Sequence, residues 1–368
     1  MSEIVLTNDE KARYARHLIL PQVGEAGQKK IKSASVLVVG AGGLGSPVLM
    51  YLAAAGIGKI GIIDDDKVDM TNLQRQIIHS TSSIGELKTE SAKRRIKQIN
   101  PEIIVDIFGT RLTIENAKEI IDGYDIIVDG TDNFATRYTI SDCCEILGKP
   151  WVFGSIHRFE GQVSVFNLNG SPNYRDLFPK APPPELAPNC AEAGVLGVLP
   201  GIIGSFQANE VLKIVLEMDG ILDSELLLID TQTMNIRKLR YNSNKEREKV
   251  TELSEEAISC ALGLDEEQSL DVSSTKQNMK EISPLEYVDK VKNGWKPFFL
   301  DVRREEEEKI VTLPNTNLRI SHTEVPSRLQ EIPDDQDIVI YCRSGARSAM
   351  VANFLKMSGD YSMEVYNL

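Results

Sequence analysis

Long apolar runs are missing from this chain. No stretch approaches the ~20 residues that a membrane-spanning helix requires, so no membrane segment is expected. The N-terminal MSEIVLTNDEKARYARH lacks the charged-then-apolar order of a secretory signal. Cysteine is scarce: Cys143, Cys144, Cys190, Cys260 and Cys342 make five, an odd number, and no two are spaced as CxxC. That excludes a disulfide framework. With only four histidines, a tetrahedral zinc site would have to be assembled from scattered ligands. Positive charge is also short, with 41 basic against 54 acidic residues and a net charge of −13, which argues against sequence-independent binding to nucleic acid or anionic lipid. No internal repeat is visible. The expectation is a soluble, cytoplasmic protein with neither nucleic acid nor membrane as a partner.

The chain does have apolar material for two cores, with 42% hydrophobic residues in 368. A helix–loop–helix region (1–30) precedes SASVLVVGAGGLGSPVLMYLAAAGIGKIGIID, which reads as buried strand, glycine turn, small-residue helix and second strand. Further strands are expected at 103–108 and 124–130, with helices at 86–99, 113–122 and 134–147. Strands alternating with helices imply an α/β, doubly wound parallel sheet. WVFGSI, GQVSVFNL and ELLLID extend it, with a proline-rich loop (FPKAPPPELAPNC) and a long apolar helix at 197–216 between them. The polar, net acidic stretch 243–279 reads as a flexible linker. Residues 280–368 carry a second, small α/β pattern: helix, strand PFFLDVR, strand DIVIYC, helix AMVANFLKMS, then EVYNL.

Gly40, Gly42 and Gly45 spell GxGxxG after a strand and at the head of a helix, where backbone amides face an anion and glycine lets phosphates approach. Asp64 ends the next strand, about twenty residues on, placed to hold ribose hydroxyls. Alone, this fits NAD as well as any other nucleotide. The accompanying motifs are more cationic than hydride transfer needs: Asn72, Gln74 and Arg75, then Lys88, with Arg13 and Arg16 on the N-terminal helix and Asp132, Asn133 and Arg137 after the fourth strand. A triphosphate does need cations to offset its charge, and a carboxylate to hold Mg²⁺.

Several stretches, RYARHLILPQVGEAGQ, GAGGLGSPVLMYLAAAGIGKIGIIDDD, NLQRQIIH, DGTDNFATRY, RFEGQVSVF and NCAEAGVLGVLPGIIGSFQANEVLK, resemble the ubiquitin-activating-enzyme-like adenylyltransferases of the MoeB/ThiF type. The likeness covers most of residues 9–240. It implies a Rossmann-like fold and a homodimer that uses Mg-ATP to adenylate the C-terminal Gly-Gly carboxylate of a ubiquitin-fold sulfur carrier. By motif it places Gly43 against the nucleotide, Asp64 on the ribose, Asn72, Arg75 and Lys88 on phosphates, and Asp132 on Mg²⁺. Arg16 would reach the triphosphate from the partner subunit. Cys190 falls at the family's transfer cysteine; its alternative is an inert loop cysteine. The family often carries two CxxC pairs that hold zinc. Here Asn173 and Asp176 stand at the first pair and RKLRYNSNKE has no cysteine, so no zinc is expected. Cys143 and Cys144, adjacent in mid-helix, read as core, and Cys260 as incidental.

Cys342 ends an apolar strand and opens CRSGARS (Cys342, Arg343, Ser344, Gly345, Ala346, Arg347, Ser348), which runs into a helix. Successive amides at a helix N-terminus form an anion nest, and Arg343 and Arg347 are expected to add positive charge, the setting that lowers a thiol pKa. A cysteine phosphatase spaces Cys and Arg by five residues; here four intervene. The shorter loop, and LDVRREEE with Asp301 and Arg303, resemble the rhodanese family, whose cysteine carries sulfur as a persulfide. Those domains usually continue past the point where this chain stops, so a clipped domain is also a reading.

Together the two halves imply adenylation of a carrier, then persulfide transfer from Cys342, with Cys190 resolving the product. A flexible 243–279 tether would span roughly 33 Å root-mean-square. The carrier expected from the resemblance is the small subunit of molybdopterin synthase, with thiamine, cysteine or tRNA-thiolation carriers as alternatives and thiosulfate or a cysteine desulfurase as sulfur donor. Two rivals differ in class: an NAD(P)-dependent oxidoreductase, disfavoured by the cation cluster, and a non-catalytic scaffold, disfavoured by intact Asp132, Arg75 and Lys88.

Overall fold

The structure is a computed structural model and describes residues 4–181, 194–255, 258, 280–303, 307, 312–342, 345–357 and 363–368. It divides into two compact units, Met1–Leu264 and Asp265–Leu368.

The first unit opens with three helices, α1 (Asn8–Arg13), α2 (Ala15–Leu18) and α3 (Gly24–Ser33). Then come β1 (Ser35–Val39), α4 (Gly45–Ala55), β2 (Lys59–Ile63), α5 (Lys88–Ile99), β3 (Ile104–Phe108), α6 (Ile114–Asp122), β4 (Ile126–Asp129) and α7 (Phe134–Leu147). Strands β5 (Trp151–His157) and β6 (Glu160–Phe166), helices α8 (Tyr174–Leu177) and α9 (Val198–Val215), and strands β7 (Glu225–Asp230) and β8 (Asn235–Arg240) complete it. The eight strands form one sheet in the order β3-β2-β1-β4-β5-β6-β7-β8, parallel from β3 to β5 and antiparallel from β5 onward. This is the expected doubly wound sheet with a mixed extension.

Alternate residues of one strand feed two cores, as a sheet buried on both faces requires. Val36 and Val38 point into a cluster with Val48, Leu49, Leu52 and Ile203, while Leu37 and Val39 meet Tyr138, Trp151, Phe153 and Phe166 on the other face. Helix α4 lies close against α9: a Cβ on Gly204 would fall 2.5 Å from the Leu44 carbonyl oxygen. That approach explains the small residues in both segments.

The linker expectation needs a correction at its N-terminal end. Arg247 donates Nη1 and Nη2 to Glu145 (3.0 and 2.8 Å) and Nε to Asp176 (2.8 Å), the Val250 amide donates to Glu145, and Leu253 and Ile258 pack on the aromatic core. The segment after β8 is therefore part of the first unit; composition alone does not reveal it because its anchor is one arginine reaching two distant carboxylates. Asn173, at the first position of the absent cysteine pair, caps α8, and Asp176 completes that capping box. Removing Arg247 strands two nearly buried carboxylates, a loss of roughly 3 kcal/mol. Arg247→Ala is expected to lower the melting temperature of the first unit by about 6–10 °C, read by scanning calorimetry; an unchanged transition would show that the segment contributes nothing.

The second unit contains β9 (Lys280–Glu281), α10 (Pro284–Lys292), β10 (Phe298–Asp301), β11 (Leu318–Arg319), β12 (Ile338–Tyr341), α11 (Ala346–Met357) and β13 (Val365–Asn367). Ser283 and Glu286 form a capping box at the start of α10. The strands make a parallel sheet ordered β11-β10-β12-β13-β9, so EVYNL supplies an interior strand. Leu300, Ile340, Val351, Leu355 and Val365 fill its core.

Candidate functional site

In the first unit the strand order reverses between β1 and β4, and such a switch point opens a crevice at the carboxyl ends of parallel strands. The glycine turn sits there. Gly40 has φ +96°, and a Cβ on it would stand 2.7 Å from the Gly130 carbonyl; a Cβ on Gly45 would strike the Gly40 carbonyl. These two glycines are thus required by the turn itself. Gly42 differs: its nearest neighbour would be Gln76 Nε2 at 3.5 Å, an ordinary contact. Packing does not demand glycine at position 42, whereas a phosphate lying on the turn would. Gly43 is tighter, with Pro200 at 3.2 Å and Arg75 Cγ at 3.6 Å from its imagined Cβ.

Asp64, at the end of β2, is fixed beside this turn. Its Oδ2 accepts from the Ala41 amide at 2.8 Å and its Oδ1 from the Asp66 amide at 2.9 Å. Burial pushes its carboxyl above the usual range, against the pull of Lys88. Lys88 itself is 5% exposed and donates to Asp66 at 2.7 Å, a carboxylate that is mostly in solvent. Arg75 donates to Asn72 Oδ1 at 3.0 Å and to the Thr71 carbonyl, and has no carboxylate partner among the described residues. The structure therefore brings Gly42, Gly43, Asp64, Asn72, Arg75 and Lys88 onto segments that converge on one turn.

The β4–α7 turn is built differently from the expectation. Arg137 is not a surface cation: it is buried, and its Nε donates to the fully buried Asp129 at 3.0 Å while Nη2 donates to the Thr131 carbonyl. Asp129 also accepts from the Thr131 amide and hydroxyl. The pair thus shapes the turn that presents Asp132, which is exposed. Asn133 is spent on capping α7 through the Thr136 amide. Arg13 donates to the Ile99 carbonyl and Arg16 stands exposed on α2.

Two features are not evident from sequence. Gln76 is 5% exposed and its Oε1 has no hydrogen-bond partner among the described residues, an orphan acceptor beside Gly42; NLQRQ offers Gln74 and Gln76 equally, and only burial separates them. Oxygens of Asp64, Asp65 and Asp66 lie within 4.8 Å of one another, although Asp66 is paired with Lys88 and Asp65 with Arg111. Cys143 and Cys144 are fully buried as expected, and burial pushes the Cys143 thiol up to about 12. Cys190 and Cys260 lie outside the described residues.

In the second unit Cys342 comes directly after β12. Its Sγ accepts from the Gly345 amide at 3.2 Å, and the buried Ser348 hydroxyl lies 3.2 Å from Sγ and 3.1 Å from the Gly345 carbonyl. One hydroxyl proton is shared between two acceptors, and a thiolate draws it toward sulfur. Gly345 has φ +83°, a backbone that favours glycine. Arg347 is buried and makes a bidentate pair with Glu307 at 2.7 and 2.8 Å. Its charge is thereby balanced, which corrects the expectation that it adds net positive charge to the nest. Asp301 and Arg303 form a buried bidentate pair, and the hydroxyl of Tyr341, the residue before Cys342, donates to Asp301 at 2.9 Å. Arg343, Ser344 and the side chain of Ala346 lie outside the described residues. Ser348→Ala is expected to slow alkylation of Cys342 about three- to tenfold at neutral pH and to leave the high-pH plateau unchanged. Mass spectrometry of the Cys342 peptide checks this; identical pH profiles would remove Ser348 from the thiolate's support.

A glycine turn at the switch point of one unit and a cradled strand-end cysteine in the other are the arrangements expected of a nucleotide-using enzyme joined to a sulfur-carrying module. The chain matches the ThiF family over residues 14–250 and the rhodanese-like domain over residues 283–368; it belongs to the ThiF family and carries a rhodanese-like domain. It is 42% identical over 360 residues to the probable adenylyltransferase/sulfurtransferase MoeZ of Mycobacterium tuberculosis, covering 96% of this chain and 90% of that protein. It is also 42% identical over 362 residues to the probable molybdopterin-synthase adenylyltransferase of Porphyra purpurea, covering 95% and 89%. Among solved structures, E. coli MccB with ATP shares the fold at a TM-score of 0.57 and 22% identity, covering 65% of this chain and 74% of that one. The chain is an enzyme of the adenylyltransferase and sulfurtransferase class.

Proposed function

We propose that this enzyme adenylates the C-terminal Gly-Gly carboxylate of a ubiquitin-fold sulfur carrier with ATP and then converts it to a thiocarboxylate. The observation that carries the first step is the convergence of Gly42, Asp64, Arg75 and Lys88 on one glycine turn, with an arginine that no carboxylate occupies among the described residues. Asp64 takes the ribose hydroxyls. Asn72, Arg75 and Lys88 take phosphate oxygens, Lys88 exchanging its solvent-facing Asp66 partner for substrate, and Arg16 of a second subunit adds to them. Mg²⁺, held at Asp132, supplies further charge neutralisation when bound.

A carboxylate oxygen of the carrier attacks the α-phosphorus. The bond from that phosphorus to the bridging oxygen breaks, and pyrophosphate leaves with the electron pair. The protein contributes positioning and charge compensation and no covalent bond. The terminal sulfur of a Cys342 persulfide, loaded from thiosulfate or a cysteine desulfurase, then attacks the acyl carbon and AMP departs. The product is an acyl disulfide between carrier and Cys342. The Cys190 thiolate attacks Cys342 Sγ, the thiocarboxylate leaves, and a Cys190–Cys342 disulfide remains for a cellular thiol to reduce. The sulfurtransferase unit and the likeness to a molybdopterin-synthase adenylyltransferase support the small subunit of molybdopterin synthase as carrier.

The test is ATP–[³²P]pyrophosphate exchange with and without that carrier, and with carriers from thiamine, cysteine and tRNA-thiolation routes. Exchange that depends on the molybdopterin carrier is expected. Exchange with another carrier alone would reassign the substrate, and no exchange with any would leave a nucleotide-binding scaffold.

A further inference from the structure

We propose that a second anion site, for a phosphate-class oxyanion, lies behind the glycine turn. It is a cavity of about 360 Å³ whose lining includes His79, Ser80, Ser83, Ser91, Arg94 and Arg95. None of these residues belongs to the nucleotide reading. Within a chain of net charge −13, the lining holds two guanidinium groups and four serine hydroxyls and no carboxylate.

The charge is not cancelled locally. Arg94 donates Nη2 to the Ser83 hydroxyl (3.2 Å) and forms an ion pair with Glu86 at 2.8 Å, whereas Arg95 donates to Gln98 at 3.4 Å and has no carboxylate among the described residues. One carboxylate thus faces two guanidiniums. His79 is buried and both ring nitrogens are engaged: Nε2–H donates to the Ala41 carbonyl at 2.9 Å, so Nδ1 accepts from the Ser91 hydroxyl at 2.9 Å. Burial keeps it neutral, so it forms a wall and leaves the arginines as the charge. The Ser80 hydroxyl lies 2.9 Å from those of Ser82 and Ser83, and such rotors can turn to donate. Guanidinium forks with hydroxyl donors match the many acceptor oxygens of a tetrahedral anion. Orthophosphate and pyrophosphate share this chemistry, and the second is the leaving group of the proposed adenylation; only its relevance as a product rests on that reading.

The experiment is equilibrium dialysis of the full chain with [³²P]orthophosphate or [³²P]pyrophosphate, the nucleotide site being saturated with a non-hydrolysable ATP analogue. One equivalent of labelled anion per chain is expected to bind. R94Q/R95Q should weaken it at least about tenfold and R95Q alone severalfold; both side chains are exposed, so folding is unaffected. Tighter pyrophosphate than orthophosphate would mark a product site, and equal affinity a site for free phosphate. No binding beside the analogue, or binding that R94Q/R95Q leaves unchanged, would overturn the proposal. Failure of the analogue itself to bind would count against the nucleotide reading and not against this one.

Discussion

Cys342→Ala is expected to leave carrier-dependent ATP–pyrophosphate exchange at its full rate while thiocarboxylate formation falls at least about a thousandfold. The separation comes from chemistry: exchange reports attack at phosphorus, which needs no sulfur, whereas the proposed second step draws its sulfur from a Cys342 persulfide. Loss of the thiol also leaves the Gly345 amide and Ser348 hydroxyl without their sulfur acceptor. The local cost is small because Cys342 is partly exposed and Ser348 keeps the Gly345 carbonyl as acceptor. Intact-mass measurement of the carrier, with sulfide excluded from the buffer, gives the answer. Full-yield thiocarboxylate from the Ala variant would end the persulfide reading.

Asp132→Ala is expected to remove both steps, with exchange reduced about a hundred- to thousandfold, the scale for losing one charge-stabilising group. Because Asp132 is exposed, its melting temperature without nucleotide should match that of the parent. Arg137→Ala supplies the contrast. That change leaves the buried Asp129 carboxylate without its cation and should lower the melting temperature first, with activity declining in consequence. Equal activity of Asp132→Ala and the parent at limiting Mg²⁺ would take Asp132 out of the site.

Much of the fold and site is legible in the sequence, and for reasons that can be named. GxGxxG between a strand and a helix leaves few backbone solutions, since Gly40 and Gly45 are forced by the carbonyls they face. Likewise a cysteine closing an apolar strand shortly before a glycine marks where the Gly345 amide meets the sulfur. The features hidden from sequence depend on partners remote in the chain. Arg137 reads as one more cation in TDNFATRY, and only Asp129 beneath it, with Phe134 and Phe153 against the guanidinium, makes it structural. Arg347 is balanced by Glu307, forty positions away in a run of four glutamates that gives no sign of which one turns inward. Strand β8 carries an exposed, mostly polar sequence without alternation, and its hairpin pairing with β7 alone makes it a strand.

The order β11-β10-β12-β13-β9 has a consequence for how the second unit is made. Among the described residues its first strand, Lys280–Glu281, pairs only with β13 (Val365–Asn367), the last of the five to be synthesised. A nascent chain that has passed Cys342 already possesses the sulfur-bearing loop, yet lacks the strand that joins β12 to β9. Pairing across so long a separation is entropically slow. The sulfur-bearing loop is therefore made before the strand that completes the sheet beside it, and the sheet can close only once Val365–Asn367 has joined β12.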